Sequence, residues 1–414
     1  MKSLKVGFIG SGFIAHFMAE AIKQIRHIEI SGVLSRSGAE ELSQFARENN
    51  LGKCTVCDSI EELCSSCDAV AVMAPNYVRV EIVEKIIDAV QKGAALKGII
   101  CEKPLGRTIQ EAQRLVDLAK SEDLLTAYFE NQIHMEAINK ALHQLEPQQQ
   151  EMGNFTLARS TEEHAGPHSS WFWDPRKQGG GVLSDMGCHS IATSRHILTP
   201  ADKDPQFLKP ISVQADTSLL KWGRPEYRDQ LKERYGVDYG ETPAEDFCTG
   251  MVTFQNPETD QIVKAQFTDS WMYDKQGLLL SMDALGPGYA MEVNTLISPL
   301  QIFIGDEAAS AAADAETALE KSTSSRGLLS VQPNEADLYG YVGEIEDMKQ
   351  SFLNGEDAYL NWEYGLEITR ICQAAYMAAE KKQTIDLTDQ GVQDELDGYQ
   401  SLISQGEGAQ VLYS

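Results

Sequence analysis

The chain has 414 residues, more than a typical single domain, and its 42% hydrophobic and 23% charged residues are the proportions of an ordinary globular protein rather than a disordered or membrane one. With 62 acidic against 35 basic residues the formal net charge is -27, which repels phosphate backbones and anionic bilayers, so neither nucleic acid nor a membrane is an expected partner. No apolar run reaches the roughly 18 residues of a spanning helix, and Met1-Lys2-Ser3 leads directly into the apolar stretch Leu4 to Ile9, so a cytoplasmic location is expected.

Strand-like and helical runs alternate from the first strand, Lys5 to Ile9, through Ile28 to Leu34, Thr55 to Cys57, Ala69 to Met73 and Gly98 to Cys101, as far as Leu124 to Phe129. Helical patterns such as Ile14 to Ile25 and Ile109 to Ala119 lie between them. Almost wholly apolar strands in this rhythm predict a doubly wound parallel sheet covered by helices on both faces, with ligands bound beyond the strands' carboxyl ends.

The first strand ends in Gly10-Ser11-Gly12-Phe13-Ile14-Ala15, a GxGxxA turn between strand and helix. Such a turn suits a dinucleotide: Gly10 permits the tight bend, Gly12 leaves space for a pyrophosphate, and the first helical amides, at Phe13 and Ile14, point their N–H groups at the phosphates. The second strand ends not in the acidic residue that binds a free ribose 2'-hydroxyl but in Ser35-Arg36-Ser37, whose cation and hydroxyls suit a 2'-phosphate. NADP(H) is therefore expected in preference to NAD(H).

Cys54, Cys57, Cys64 and Cys67 form two CxxC pairs of zinc-site appearance. Cys54 and Cys57 flank a short strand on which residues three apart diverge, so ordinary structural thiols are expected. After about residue 150 strands follow one another without helices, at Phe155 to Ser160, Val213 to Leu220, Cys248 to Phe254, Val263 to Trp271, Leu278 to Ala284 and Leu300 to Ile304, which predicts an open, mostly antiparallel sheet. The acidic, alanine-rich tract Asp306 to Lys321 reads as an exposed helix or loop. The amphipathic stretches Tyr341 to Leu353 and Trp362 to Lys381 either close the sheet or pack back on the first domain.

Three further blocks stand in order: Ala74-Pro75-Asn76, Cys101-Glu102-Lys103-Pro104-Leu105, and Gly179-Gly180-Gly181-Val182-Leu183-Ser184-Asp185-Met186-Gly187-Cys188-His189. Together they resemble the glucose-fructose oxidoreductase and inositol dehydrogenase (Gfo/Idh/MocA) family. The resemblance implies a Rossmann dinucleotide-binding domain, residues 1–133, and an α/β substrate-binding and oligomerisation domain, residues 134–414. The substrate would be held between them over a nicotinamide, and the second sheet would pair copies into a homodimer or homotetramer. It implies Lys103, Asp185 and His189 as catalytic residues, and Pro75, Asn76 and Glu102 lining the ribose and nicotinamide side. Arg79 stands where the family has a histidine, and Glu130-Asn131-Gln132 replaces an aromatic-asparagine-arginine pattern, with Asn131 still a candidate cofactor contact.

Hydride transfer at an alcohol carbon needs a proton acceptor or donor at its oxygen. His189, with an unperturbed pKa of ~6.5, is the leading candidate. Lys103 would stabilise charge on the same oxygen, or exchange roles with His189 if burial lowers its pKa. Asp185, four residues before His189 at an expected helix start, would share its face and orient substrate hydroxyls or the imidazole. The segment Glu163 to Asp174 is dense in polar and aromatic groups, and His164 and Trp173 are read from it as a wall for a sugar. His164, His168, Cys188 and His189 do not make a metal site on this reading, because Gly166-Pro167 interrupts the helix that would align them.

The expected protein is thus an NAD(P)-dependent dehydrogenase or reductase of a sugar, cyclic polyol or glycoside. Two rivals stand beside it: an enzyme that recycles bound NAD to cleave or eliminate a glycoside, and a regulator that binds dinucleotide or sugar without chemistry.

Overall fold

Strands β1 (Leu4–Ile9), β2 (Ile28–Leu34), β3 (Thr55–Val56), β4 (Ala69–Val72), β5 (Gly98–Glu102) and β6 (Leu125–Phe129) form one parallel sheet in the order β3-β2-β1-β4-β5-β6. The order reverses between β1 and β4, which opens a crevice at the strands' carboxyl ends. All four residues of β4 and the first four of β5 are buried, as a sheet covered on both faces requires. Local chemistry starts its helices: Ser59 Oγ accepts from the Glu62 amide, and Thr108 Oγ from the Glu111 amide at 3.2 Å.

The computed structural model describes residues 3–274, 277–297, 301–304, 327–330 and 334–413. Two units are formed, one of Met1–Glu136, Tyr339–Arg370 and Asp397–Tyr399, the other of Ala137–Leu338, Ile371–Leu396 and Gln400–Ser414. In the first unit the late segment covers the exposed edge of β6. The Ala358 amide donates to Thr126 O at 3.1 Å, the Tyr128 amide to Leu360 O at 2.8 Å, and Trp362 Nε1 to Ala127 O at 3.1 Å. Backbone groups that would otherwise invite a foreign strand are thereby paired. Of the two placements open for Tyr341 to Leu353, the structure has the helix Tyr341–Asn354 in this first unit, with Phe352 against Gly98 of β5.

The second unit is built on β7 (Leu157–Glu163), β8 (Lys209–Ser218), β9 (Phe247–Gln255), β10 (Ile262–Ser270), β11 (Leu279–Gly286), β12 (Tyr289–Asn294) and the two-residue strand Ile385–Asp386. Its order is β12-β11-β7-β10-β9-β8 with Ile385–Asp386 at the edge, and only β7 and β10 run parallel. The helix Cys188–Leu198 lies on this sheet and is buried almost all round. Its hydroxyls are tolerated there because they bond across: Ser190 Oγ to Asp269 Oδ1 at 2.6 Å and Ser194 Oγ with Ser160 Oγ at 2.8 Å.

Two strand expectations are corrected. The first strand of the second unit runs to Glu163 rather than stopping at Ser160, since β10 and β11 pair with it on both sides that far. Gln301–Ile304 does not join the large sheet but pairs with Gly327–Ser330 as a separate ribbon. The tract Asp306 to Lys321 lies outside the described residues.

Candidate active site

The first unit gathers its candidate residues at the strands' carboxyl ends. Gly10 has φ +110, and a Cβ there would meet the Met73 carbonyl at 3.0 Å, so only glycine makes this bend. A Cβ on Gly12 would have no heavy atom within 4 Å; the chain leaves open space in front of the helix Phe13–Ile22. No side chain caps that helix and its first turn holds no acidic residue, so its positive end is available to an anion. Phe13 is 39% exposed, and Ile14 is half-buried.

The turn after β2 is tied to this loop. Ser11 Oγ donates to Ser37 O at 2.5 Å and Ser35 Oγ to the same carbonyl at 2.8 Å, leaving Arg36 exposed between them. After β4, Pro75 leads into a short turn in which Asn76 is buried, its Oδ1 accepting from Arg79 Nη2 at 3.2 Å. After β5, Glu102 and Lys103 are half-buried and the Lys103-Pro104 peptide is cis. Asn131, after β6, donates from Nδ2 to Tyr339 O at 2.6 Å, so its amide nitrogen anchors the late segment.

One buried acid here was missed from the sequence. Glu344 is 2% exposed, and burial together with the charges of Glu102, Glu130 and Asp347 raises its carboxyl well above the ordinary range. A signal existed: Tyr341, Ile345, Met348 and Phe352 follow helical spacing, and Glu344, like Lys349, stands inside that mostly apolar stripe.

In the second unit the Gly179–His189 segment is held by an unforeseen pair, Glu245 and Tyr376. The Gly181 amide donates to both Glu245 carboxylate oxygens at 3.0 Å, the Leu183 amide to Oε1 at 3.0 Å, and Tyr376 Oη to Oε1 at 2.6 Å. The Ser184 amide donates to Tyr376 Oη at 3.2 Å. A Cβ on Gly180 would lie 1.9 Å from Tyr376 Oη and one on Gly181 2.2 Å from Glu245 O, so the glycines exist to let these groups reach the backbone. Burial pushes the Glu245 carboxyl up to about 7, against its four hydrogen bonds.

Held in this way, Leu183–Gly187 forms a π turn that runs into the helix Cys188–Leu198, rather than the plain α-helical start expected. Asp185 sits in the π turn and His189 in the first turn of the helix, each 4% exposed. Trp271 Nε1 donates to Asp185 Oδ2 at 3.3 Å, and Trp271 O accepts from Trp222 Nε1 at 2.8 Å. Trp271 was not anticipated; in the sequence it is one more apolar residue at a strand end.

His164 and Trp173 turn inward. His164 is fully buried, and its Nδ1 accepts from the Gly166 amide at 2.9 Å. Trp173 is 1% exposed, donates to Pro167 O at 3.0 Å, and packs among Trp222, Tyr235, Tyr239 and Trp271. The half-exposed rings of this segment are Trp171 and Phe172, stacked at 3.8 Å. The thiols of Cys54, Cys64 and Cys67 are pushed up by burial to about 11, about 12 and well above the usual thiol range, and Cys57 is raised for the same reason, so all four are protonated thiols at neutral pH. Among the described residues no three His, Cys, Asp or Glu side chains are placed to hold a metal ion, and no helix is long and apolar enough to cross a membrane.

Residues 4–129 match the model of the oxidoreductase family with an NAD-binding Rossmann fold, and residues 147–280 that of the Gfo/Idh/MocA C-terminal domain. The chain belongs to the Gfo/Idh/MocA oxidoreductase family. This Gfo/Idh/MocA protein is 27% identical over 212 residues to levoglucosan dehydrogenase of Pseudarthrobacter phenanthrenivorans, covering 48% of the chain and 52% of the relative. It is 28% identical over 213 residues to 1,5-anhydro-D-fructose reductase of Ensifer adhaerens, covering 50% and 60%. The matches thus span about half the length of these curated relatives. Among solved structures, GenD2 from gentamicin A biosynthesis, in complex with NAD, superimposes with a TM-score of 0.72 at 19% identity, over 94% of this chain and 97% of that one. A myo-inositol dehydrogenase from Corynebacterium glutamicum gives 0.65 at 17% identity, over 93% and 99%. These establish the fold.

Proposed function

We propose that the protein transfers a hydride between a nicotinamide cofactor and a secondary alcohol or ketone of a sugar, cyclic polyol or glycoside. The observation that carries this reading is the glycine-lined opening before an uncapped helix, on the same sheet end as Asn76 and Lys103, in a chain whose second unit also retains Asp185 and His189. The open space at Gly12 fits a pyrophosphate, and residues 1–133 are taken as the dinucleotide-binding domain, with 134–414 binding substrate. Arg36, exposed while its neighbouring serine hydroxyls are tied to Ser37 O, favours NADP(H) over NAD(H).

When bound, the nicotinamide supplies the hydride acceptor or donor. His189 then takes or returns the hydroxyl proton, Lys103 holds the same oxygen and stabilises its charge, and Asp185, oriented by Trp271, aligns the substrate. The stacked Trp171 and Phe172 offer ring faces to the substrate's C–H surface, while His164 and Trp173 shape the wall from behind. The names of these two relatives, levoglucosan dehydrogenase and 1,5-anhydro-D-fructose reductase, support a carbohydrate substrate.

The test is to follow nicotinamide absorbance while oxidised and reduced cofactors are screened against sugars and inositols. A hit that falls by about 100-fold or more in Lys103→Ala and His189→Ala supports the reading. Product formed without net cofactor change would favour the recycling enzyme instead, and failure of the wild type to bind either dinucleotide would refute both. Light scattering on the same sample measures whether a homodimer or homotetramer forms.

A further inference from the structure

Arg79 opens the helix Arg79–Gln91 and is 2% exposed. A guanidinium there is placed against electrostatics twice over: it is removed from water, and it stands at the positive end of a helix. Among the described residues no carboxylate is bonded to it. The nearby Cys101 thiol is pushed up to about 12 by burial, against the pull of Arg79, so it stays neutral and supplies no counter-charge. An apolar side chain of similar volume would fill this space at lower free-energy cost, so packing alone does not account for the residue.

Its bonds do. Nη1 donates to the carbonyl oxygens of Pro104 and, at 3.1 Å, Leu105; Nη2 donates to Asn76 Oδ1 at 3.2 Å. These acceptors belong to the turns after β4 and β5, adjacent strands of the parallel sheet. One of those turns presents Asn76 and the other begins at Lys103. A planar, rigid fork can serve acceptors on both turns at once, whereas a lysine ammonium is a point donor on a flexible stem.

We infer that Arg79 is a positioning residue, fixing the Lys103 turn in register with the Asn76 turn and so setting the turnover rate rather than dinucleotide affinity. This rests on the proposed hydride-transfer function. A displacement of Lys103 by about 1 Å is enough to cost on the order of 10- to 100-fold in rate.

The experiment compares the full chain as wild type, Arg79→Lys, Arg79→Gln and Arg79→Ala. It measures turnover by nicotinamide absorbance, dinucleotide dissociation constants by fluorescence, and thermal midpoints. For Arg79→Lys, kcat is expected to fall about 10- to 100-fold while the dinucleotide dissociation constant stays within about 3-fold. Added guanidinium, but not sodium at equal ionic strength, should restore part of the turnover of Arg79→Ala. Should Arg79→Ala not fold, Arg79→Lys and Arg79→Gln decide by the same split between kcat and affinity. Unchanged kcat in Arg79→Lys overturns the inference, as does a proportional loss of kcat, affinity and thermal midpoint across the series. An active wild type with an unaffected Arg79→Lys refutes only the positioning role; a wild type with no turnover overturns the hydride-transfer reading and this inference with it.

Discussion

Replacing Glu245 with glutamine should flatten part of the protein's pH–stability curve. The carboxyl is fully buried, and burial lifts it from its ordinary 4.5 to about 7. Between those values the folded chain holds a proton that the unfolded chain has released, so stability falls as pH rises through the window. That displacement of about 2.5 pH units, at about 1.4 kcal/mol each, amounts to roughly 3.5 kcal/mol in full, of which about 3 kcal/mol falls between pH 4.5 and pH 8. Glutamine cannot ionise and keeps one amide oxygen for the Gly181 and Leu183 N–H groups. The unfolding free energy of Glu245→Gln should therefore rise relative to wild type by about 3 kcal/mol from pH 4.5 to pH 8. Urea titrations followed by tryptophan fluorescence suit the measurement, because Trp171, Trp173, Trp222 and Trp271 all belong to the second unit. Parallel wild-type and variant curves across the window would refute the reasoning.

His196 should act with the opposite sign: burial lowers it to about 4, so the unfolded chain protonates first as pH drops below about 6.5, and stability is lost down to about 4. His196→Gln should shift the acid-unfolding midpoint to lower pH. Gly180→Ala forces a Cβ to 1.9 Å from Tyr376 Oη at φ +147, which should cost more than about 2 kcal/mol and remove turnover. An unchanged thermal midpoint would contradict the glycine argument. Trp271→Phe keeps a ring edge-on to Trp173 but loses the N–H to Asp185, a bond to a charged group worth about 1.5–3 kcal/mol. Its kcat/KM should fall by about 10-fold or more with little change in fold, as steady-state kinetics and circular dichroism would show.

The parallel sheet was legible because its strands are continuous apolar runs and its glycine turn is local chemistry, written in six consecutive residues from Gly10 to Ala15. The second sheet was legible as strands but less so in extent: Ile385–Asp386 pairs with β8 although about 170 residues separate them, and no period in a two-residue strand announces it. His164 and Trp173 show the reverse difficulty. A run of polar and aromatic residues looks the same whether it faces a ligand or packs inward, and here the packed rings come from distant segments: Trp222, Tyr235 and Tyr239 from the connection between β8 and β9, and Trp271 from just beyond β10.

By itself, the order of residues determined the Rossmann turn, the alternation of elements and the motifs that carry Asn76, Lys103, Asp185 and His189. Tertiary structure decided how those groups are held: Arg79 between two turns, Trp271 on Asp185, Glu245 and Tyr376 beneath the triple glycine, Glu344 among the acids of the first unit. The division has a physical cause. Strands, turns and caps arise from neighbours within a few residues, whereas a buried charge is defined by partners that only folding brings near, and its cost is set by water those partners displace.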